Sequence, residues 1–307
     1  MKDVAGLSNL LTDFVVNVSY DELEKFKAEK ERCKAADPAN KDYHKFLVEL
    51  IKGRQVLQCR AGGAANTIFN LAKLGLGTCL MGSVGDDSTG MDYIDYVSAR
   101  RIESRISVED GKSGVSYIMI TPDGERNISC DIGVAGNFGF SLRDLKDYKL
   151  FHTTGYEIST DSDITEESIR YAKKIGARVS FDLASASMIR GNRSAIERVV
   201  EMSDILFMTE EEAGELMGDP IRALSELSKE ERIVALKKGK NGSVIGMNGE
   251  QYEIPVYPTK LVNTCGAGDA YASGVLFGYF VDLNLEEVGN FGSYIASRIC
   301  SREESHL

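Results

Sequence analysis

The stretch Asn263-Thr264-Cys265-Gly266-Ala267-Gly268-Asp269 joins a polar, glycine-rich turn to a run of small apolar residues from Ala270 to Phe280. Gly266 and Gly268 carry no Cβ, so the backbone can turn tightly there and present successive N–H groups. A helix starting at this point adds unpaired N–H donors and the positive end of its dipole. Such a cradle suits phosphate or another anion formed in a reaction. A carboxylate at Asp269 would repel that anion, and taking a proton from an attacking hydroxyl would explain why it is there. The same residues also suit an ordinary helix start, because glycines mark turns and an acid in the first turn is favoured by the dipole. On local chemistry both readings stand.

A second glycine pair lies in Arg60-Ala61-Gly62-Gly63-Ala64-Ala65-Asn66-Thr67, ahead of a helical run to Gly75. Asn66 could cap that helix or bond a polyol, and two adjacent glycines are more than a cap requires. Near the N-terminus, Asn9 and Asp13 interrupt an apolar stretch. They read either as turn residues or as hydroxyl-binding groups at strand ends. Thr209-Glu210-Glu211-Glu212 has the acidic first turn expected of any helix, while Glu212 could also hold Mg²⁺ that accompanies nucleotide phosphates. Lys237-Lys238-Gly239-Lys240-Asn241-Gly242 reads as a hairpin loop that could border a nucleotide.

The elements around these residues set their placement. Two strands are expected at 4–11 and 14–18, helices at 21–36 and 42–52, and an extended segment at 55–58. A buried strand spans 78–84 and a helix 91–100. The alternating run 114–121 returns through Pro122-Asp123-Gly124-Glu125 to 126–131 as a hairpin. From Leu145 onward strands at 150–154, 178–183, 205–208, 233–237 and 243–247 alternate with helices at 168–175, 193–201 and 210–217. That alternation predicts a parallel sheet with crossover helices, which binds ligands beyond the carboxyl ends of its strands. Asp182, Thr209, Glu212, Gly239, Gly242 and the opening stretch all follow predicted strands.

The chain has 307 residues, 43% of them hydrophobic and 27% charged, with a net charge of −11. This suits a soluble globular protein and argues against nucleic acid or an anionic membrane as partner. The six cysteines form no C-x-x-C pair and the three histidines lie far apart, so a zinc site is not expected and reduced cytoplasmic thiols are. Gly111-Lys112-Ser113 lacks the earlier glycine of a P-loop, since Ile106 stands there. Tyr271 replaces the third glycine of a dinucleotide fingerprint.

Gly62 to Thr67 with its helix, and Asn263 to Asp269 with its helix, resemble the two signatures of the PfkB (ribokinase-like) carbohydrate kinase family. Gly6-x-x-Asn9-x-x-x-Asp13, Thr121 to Arg126, Thr209-x-x-Glu212 and Lys237 to Ser243 extend the resemblance over nearly the whole chain. The charged insertion before Gly62 and the Thr-Pro-Asp-Gly-Glu-Arg hairpin look most like the adenosine-kinase-like branch. The resemblance implies one domain over residues 1–307, an α/β/α sandwich with a mostly parallel sheet and a small β lid formed near 12–20 and 105–131. It implies transfer of the γ-phosphoryl of ATP, with Mg²⁺, to a primary hydroxyl of a nucleoside or a sugar. Asp269 corresponds to the catalytic base, and Gly266, Ala267 and Gly268 to the backbone anion hole. Asn9, Asp13, Gly62, Gly63 and Asn66 correspond to acceptor-binding positions. Thr209, Lys237, Gly239, Gly242 and Thr264 correspond to ATP-binding ones, and Glu212 to a water-mediated Mg²⁺ position.

Two residues depart from the family pattern. Thr209 stands where Asn is usual, and Asn263 where an Asp associated with a monovalent cation is usual, so little K⁺ activation is expected. The alternatives are a strict sugar kinase and a ligand-binding relative with little catalysis. A monomer or a homodimer is expected, with Ile118 and Ile120 of the hairpin as candidates for pairing between subunits.

Overall fold

The computed structural model describes residues 2–27, 41–123, 126–262, 264–302 and 305–307. Its strands are β1 Lys2–Leu7, β2 Leu11–Asn17, β3 Leu57–Ala61, β4 Thr78–Gly85, β5 Glu103–Glu109, β6 Gly114–Ile120 and β7 Arg126–Asp131. They continue as β8 Tyr148–Thr154, β9 Arg178–Asp182, β10 Ile205–Thr209, β11 Ile233–Lys237, β12 Ser243–Met247 and β13 Glu250–Ile254. Nine strands form one sheet in the order β13-β12-β11-β10-β9-β8-β1-β4-β5. Pairing is parallel from β5 to β11, and β12 and β13 add an antiparallel edge.

Successive side chains of a strand face opposite ways, and in this sheet both ways are apolar. Along β10, Leu206 and Met208 join Ala5, Phe151 and Phe181 in one core, under helices Ser162–Lys174, Arg193–Met202 and Glu210–Met217. Ile205 and Phe207 join Val4, Leu80 and Leu150 in the other, under helices Gly63–Leu74, Ser88–Ala99, Ala267–Phe280 and Leu285–Cys300. The architecture is the expected α/β/α sandwich. No helix among the described residues is long and apolar enough to cross a membrane.

A second sheet has the order β3-β2-β6-β7, with β2 and β6 parallel and the outer pairs antiparallel. The segment 105–131 therefore divides. Its first part lies in β5 of the large sheet, and 114–120 and 126–131 enter the small one, which β2 and β3 complete. Val16, Val115 and Met119 pack outward beneath Leu23 and Phe26 of the helical residues 20–27 and Leu47 of helix Lys41–Ile51. The expected helix 21–36 is helical to residue 27, and the rest of it lies outside the described residues.

The break between β1 and β2 falls at Ser8 to Leu10, so Asn9 sits in the link. Asp13 is not a turn residue: it lies within β2, opposite Cys59 of β3 and Ser116 of β6.

Candidate active site

Parallel pairing brings Asn9 after β1, Thr154 of β8, Asp182 of β9, Thr209 of β10 and Lys237 of β11 to one edge of the large sheet. The helix Ala267–Phe280 starts at that edge. Its N-cap, Gly266, has φ 71° and makes no side-chain cap bond, while the Ala267 N–H turns back to the Thr264 carbonyl at 3.3 Å. A Cβ at Gly266 would run into the Ser305 carbonyl, which excludes every other residue there.

The two glycine motifs meet at Asp269. Asn66 Nδ2 donates to Asp269 Oδ2 at 2.8 Å across 203 residues of sequence, and the Thr67 hydroxyl donates to the Asp269 carbonyl at 3.2 Å. Burial pushes the Asp269 carboxyl up to about 7, against the pull of the Asn66 donor. Asn66 does not cap its helix, since Gly62 occupies the N-cap with φ 124°. A Cβ at Gly62 would strike the Asn9 carbonyl and the Ser8 hydroxyl, so the glycine lets this helix start close against the end of β1.

Asn9 is held from below. Its N–H donates to Glu157 Oε1 at 2.9 Å and its Nδ2 to Thr160 Oγ1 at 3.0 Å. Glu157 is fully buried and also accepts from the Thr154 N–H at 3.0 Å and the Thr154 hydroxyl at 2.6 Å. Sequence reading missed Glu157. Its signal was the capping-box spacing Thr154-x-x-Glu157 directly after a predicted strand. Asn9 Oδ1 and Asn66 Oδ1 are buried and accept no hydrogen bond from the protein. Buried acceptors are costly without a donor, and ligand hydroxyls can supply one.

Asp13 projects from the small sheet into a cleft shared with Val15, Cys59, Ile118, Ile120, Cys265 and Ser305. Burial pushes its carboxyl up to about 7, partly offset by its bond with Ser116. Ile118 and Ile120 thus face the chain's own cleft. The aromatic residues of this region point elsewhere. Tyr117 and Phe14 stack on each other at 5.7 Å on the outer side of the sheet, and Phe138 lies in a core cluster.

Beyond the Gly266 turn lies a cavity of about 460 Å³, lined by Thr209, Lys237, Gly239, Gly242, Thr264, Ala267, Gly268 and Tyr271, with Tyr257 and Leu261 above. All five residues assigned to ATP from the sequence border it. The Lys237 to Gly242 segment is also the expected hairpin, joining antiparallel β11 and β12. Lys237 Nζ donates to Asp182 Oδ2 at 2.7 Å, and only 14% and 7% of these side chains are exposed. Burial opposes the lysine's charge, yet Asp182 and Glu212 hold its pKa above the ordinary value.

Thr209 caps helix Glu210–Met217. Its hydroxyl accepts from the Glu212 N–H at 3.2 Å, and its own N–H donates to Glu212 Oε2 at 2.8 Å. Burial, then the Asp182 charge, raises the Glu212 pKa. Among the described residues no group of three His, Cys, Asp or Glu is placed to cage a metal. Glu212 adjoins the cavity through its bond with Thr209 rather than lining it. Asn263 lies outside the described residues.

Residues 35–306 match the model of the pfkB family carbohydrate kinases. The chain belongs to this family. This pfkB family kinase is 27% identical over 236 residues to an uncharacterized sugar kinase of Archaeoglobus fulgidus, covering 75% of this chain and 94% of that one. It is 29% identical over 261 residues to an ATP-dependent ribose-1-phosphate kinase of Halopiger xanaduensis, covering 81% and 83%. Its fold matches that of an adenosine kinase from Sinorhizobium meliloti with a TM-score of 0.87 at 24% identity, covering 100% and 96%. The fold is therefore ribokinase-like, and the protein is a phosphotransferase acting on a sugar or nucleoside hydroxyl. Family membership implies ATP as donor, usually with Mg²⁺.

Proposed function

We propose that this kinase transfers the γ-phosphoryl of ATP to a primary hydroxyl of a sugar-sized acceptor bound beneath the small sheet, with Asp269 as general base. The observation that carries this is the Asn66–Asp269 hydrogen bond, which sets a buried carboxylate titrating near neutrality at the mouth of an uncapped helix. Asp13, Asn9 Oδ1 and Asn66 Oδ1 bind acceptor hydroxyls, with Gly62 and Gly63 allowing close approach. The acceptor's reacting hydroxyl gives its proton to Asp269 as its oxygen attacks. The N–H groups of Gly266, Ala267 and Gly268 then offset charge on the moving phosphoryl group, where positioning and preorganised donors do most of the work. Thr209, Lys237, Gly239, Gly242 and Thr264 hold the nucleotide in the large cavity. Glu212 would hold Mg²⁺ through water, and the ion supplies positive charge to the phosphate oxygens.

A sugar is favoured over a nucleoside because Phe14, Tyr117 and Phe138 are turned away from the Asp13 cleft, leaving Val15, Ile118 and Ile120 as its apolar wall. A nucleobase needs a wider apolar or aromatic surface. The protein acts in the cytoplasm as a monomer or a homodimer, and little activation by K⁺ is expected because Asn263 lacks the usual charge.

ADP release over a panel of sugars and nucleosides tests this reading, with Asp269→Asn as control. Turnover with a sugar, abolished in the variant while ligand binding persists, is the expected result. Near-full turnover by Asp269→Asn removes the assigned base, preference for a nucleoside removes the acceptor class, and binding without ADP release points to a non-catalytic relative.

A further inference from the structure

The Lys237–Asp182 pair has no counterpart elsewhere in the site. Lys237 Nζ stands where it would lie 3.4 Å from a Cβ built on Gly268, against the first turn of the helix that carries Asp269. Three carboxylates act on this one ammonium: Asp182 by direct contact, Glu212 and Asp269 through space. If all were charged the corner would carry −2, an unfavourable place for a polyphosphate. The cation nearest the phosphoryl path is therefore the one already engaged by an acid at the end of a neighbouring strand. Asp182 also donates nothing to the acceptor side: its other oxygen accepts the Ala184 N–H at 3.0 Å, which fixes the carboxylate's own orientation.

We propose that Asp182 is a positioning residue that keeps the Lys237 side chain aimed at the Gly266–Gly268 turn, so that its amino group meets the phosphoryl group in transfer. This rests on the reading of Asp269 as base given above. The lysine has a flexible four-carbon stem and a compact charge, so without an anchor it would sample many directions. Strand register supplies the anchor, because Asp182 ends β9 and Lys237 ends β11, with β10 between them. No proton or covalent bond changes hands at Lys237. Its role is to place charge where charge moves during transfer, and removing one such donor typically costs ~10²–10³-fold in kcat.

The decisive comparison is between Lys237→Met and the double variant Asp182→Asn/Lys237→Met. Either single variant leaves a buried charge unpaired, so the thermal midpoint is read beside kcat, whereas the double variant removes both charges together. The expected result is a kcat for Lys237→Met lowered ~10²-fold with the acceptor KM within about two-fold. The double variant then shows the same kcat as Lys237→Met, because Asp182 has nothing left to hold. A further ten-fold loss in the double variant shows that Asp182 acts independently and overturns the proposal. So does a Lys237→Met enzyme with near-normal kcat. Asp269→Asn assayed alongside separates the two levels: if it stays active, the reading of the base fails first; if it is inactive and the double variant is additive, only the Asp182 assignment fails.

Discussion

Replacing Asn66 by Leu keeps the side chain's bulk and removes the one amide that donates to the Asp269 carboxylate, at 2.8 Å. That donor lowers the Asp269 pKa against a larger upward push from burial, with the balance at about 7. A hydrogen bond to a charged group contributes about 1.5–3 kcal/mol, and 1.36 kcal/mol corresponds to one pKa unit, so losing it moves the pKa up by about 1–2. A base must be ionised to accept a proton, so the acid limb of kcat moves from about pH 7 to about pH 8–9. At pH 7 the ionised fraction falls from about one half to about 1–10%, which lowers kcat roughly 5–50-fold. The assay is ADP release at saturating acceptor from pH 5.5 to pH 9.5, since a weaker grip on the acceptor raises KM without moving the kcat limb. Recovery toward the wild-type plateau above pH 9 is the signature. A loss of the same size at every pH, or an unmoved limb, refutes the link between Asn66 and the base.

Asp269→Asn and Asp13→Asn should each raise the thermal midpoint at pH 8. Both carboxyls titrate near 7 in the folded chain, against 3.8 for an ordinary aspartate, so the native state binds the extra proton and stability falls as pH rises between those values. That difference of about 3 pH units corresponds to at most about 4 kcal/mol per group at pH 8, and the gain should vanish near pH 4; a midpoint lowered at pH 8 contradicts the sign. Thr209→Ala should lose about 1 kcal/mol of stability through the missing cap, while Thr209→Asn keeps the cap and stays within about 0.5 kcal/mol of wild type in denaturant unfolding. Equal losses for the two would mean that the Thr209–Glu212 box contributes nothing. Gly266→Ala should lower both the thermal midpoint and kcat, because φ 71° and the Ser305 carbonyl leave no place for a methyl group, and unchanged values for both would dismiss that constraint.

The meeting of Asn66 with Asp269 was legible because each sits on a glycine turn ahead of an apolar helix, and helices after parallel strands gather at one sheet edge. Asp13 was misread as a possible turn residue because a carboxylate between apolar neighbours looks like a break. Only pairing on both sides, with Cys59 and Ser116, shows it to be mid-strand. The facing of Tyr117 and Ile118 could not be read, since strand β6 is buried along almost its whole length and gives no polar alternation to tell inside from outside. Glu157 was invisible for a related reason. An acid in the first turn of a helix is ordinary, and what makes this one unusual is its complete burial. Asp182 was noted as following a strand, but its partner lies 55 residues on, and ion pairing across an intervening strand leaves no local pattern.

The small sheet is assembled from four pieces that the chain leaves and re-enters between strands of the large one: β2 and β3 come between β1 and β4, while β6 and β7 come between β5 and β8. Its central parallel pair joins Leu11 to Gly114. Closing a loop of that length is entropically expensive unless β1, β4 and β5 have already drawn its ends together. The expected order of folding is the large sheet first and the small sheet that carries Asp13 last. Native-state hydrogen exchange should show the amides of β2 and β6 opening before those of β1 and β8, and equal protection would contradict this order. On that order the acceptor side of the site depends on the later-forming sheet, while the nucleotide side rests on the larger one.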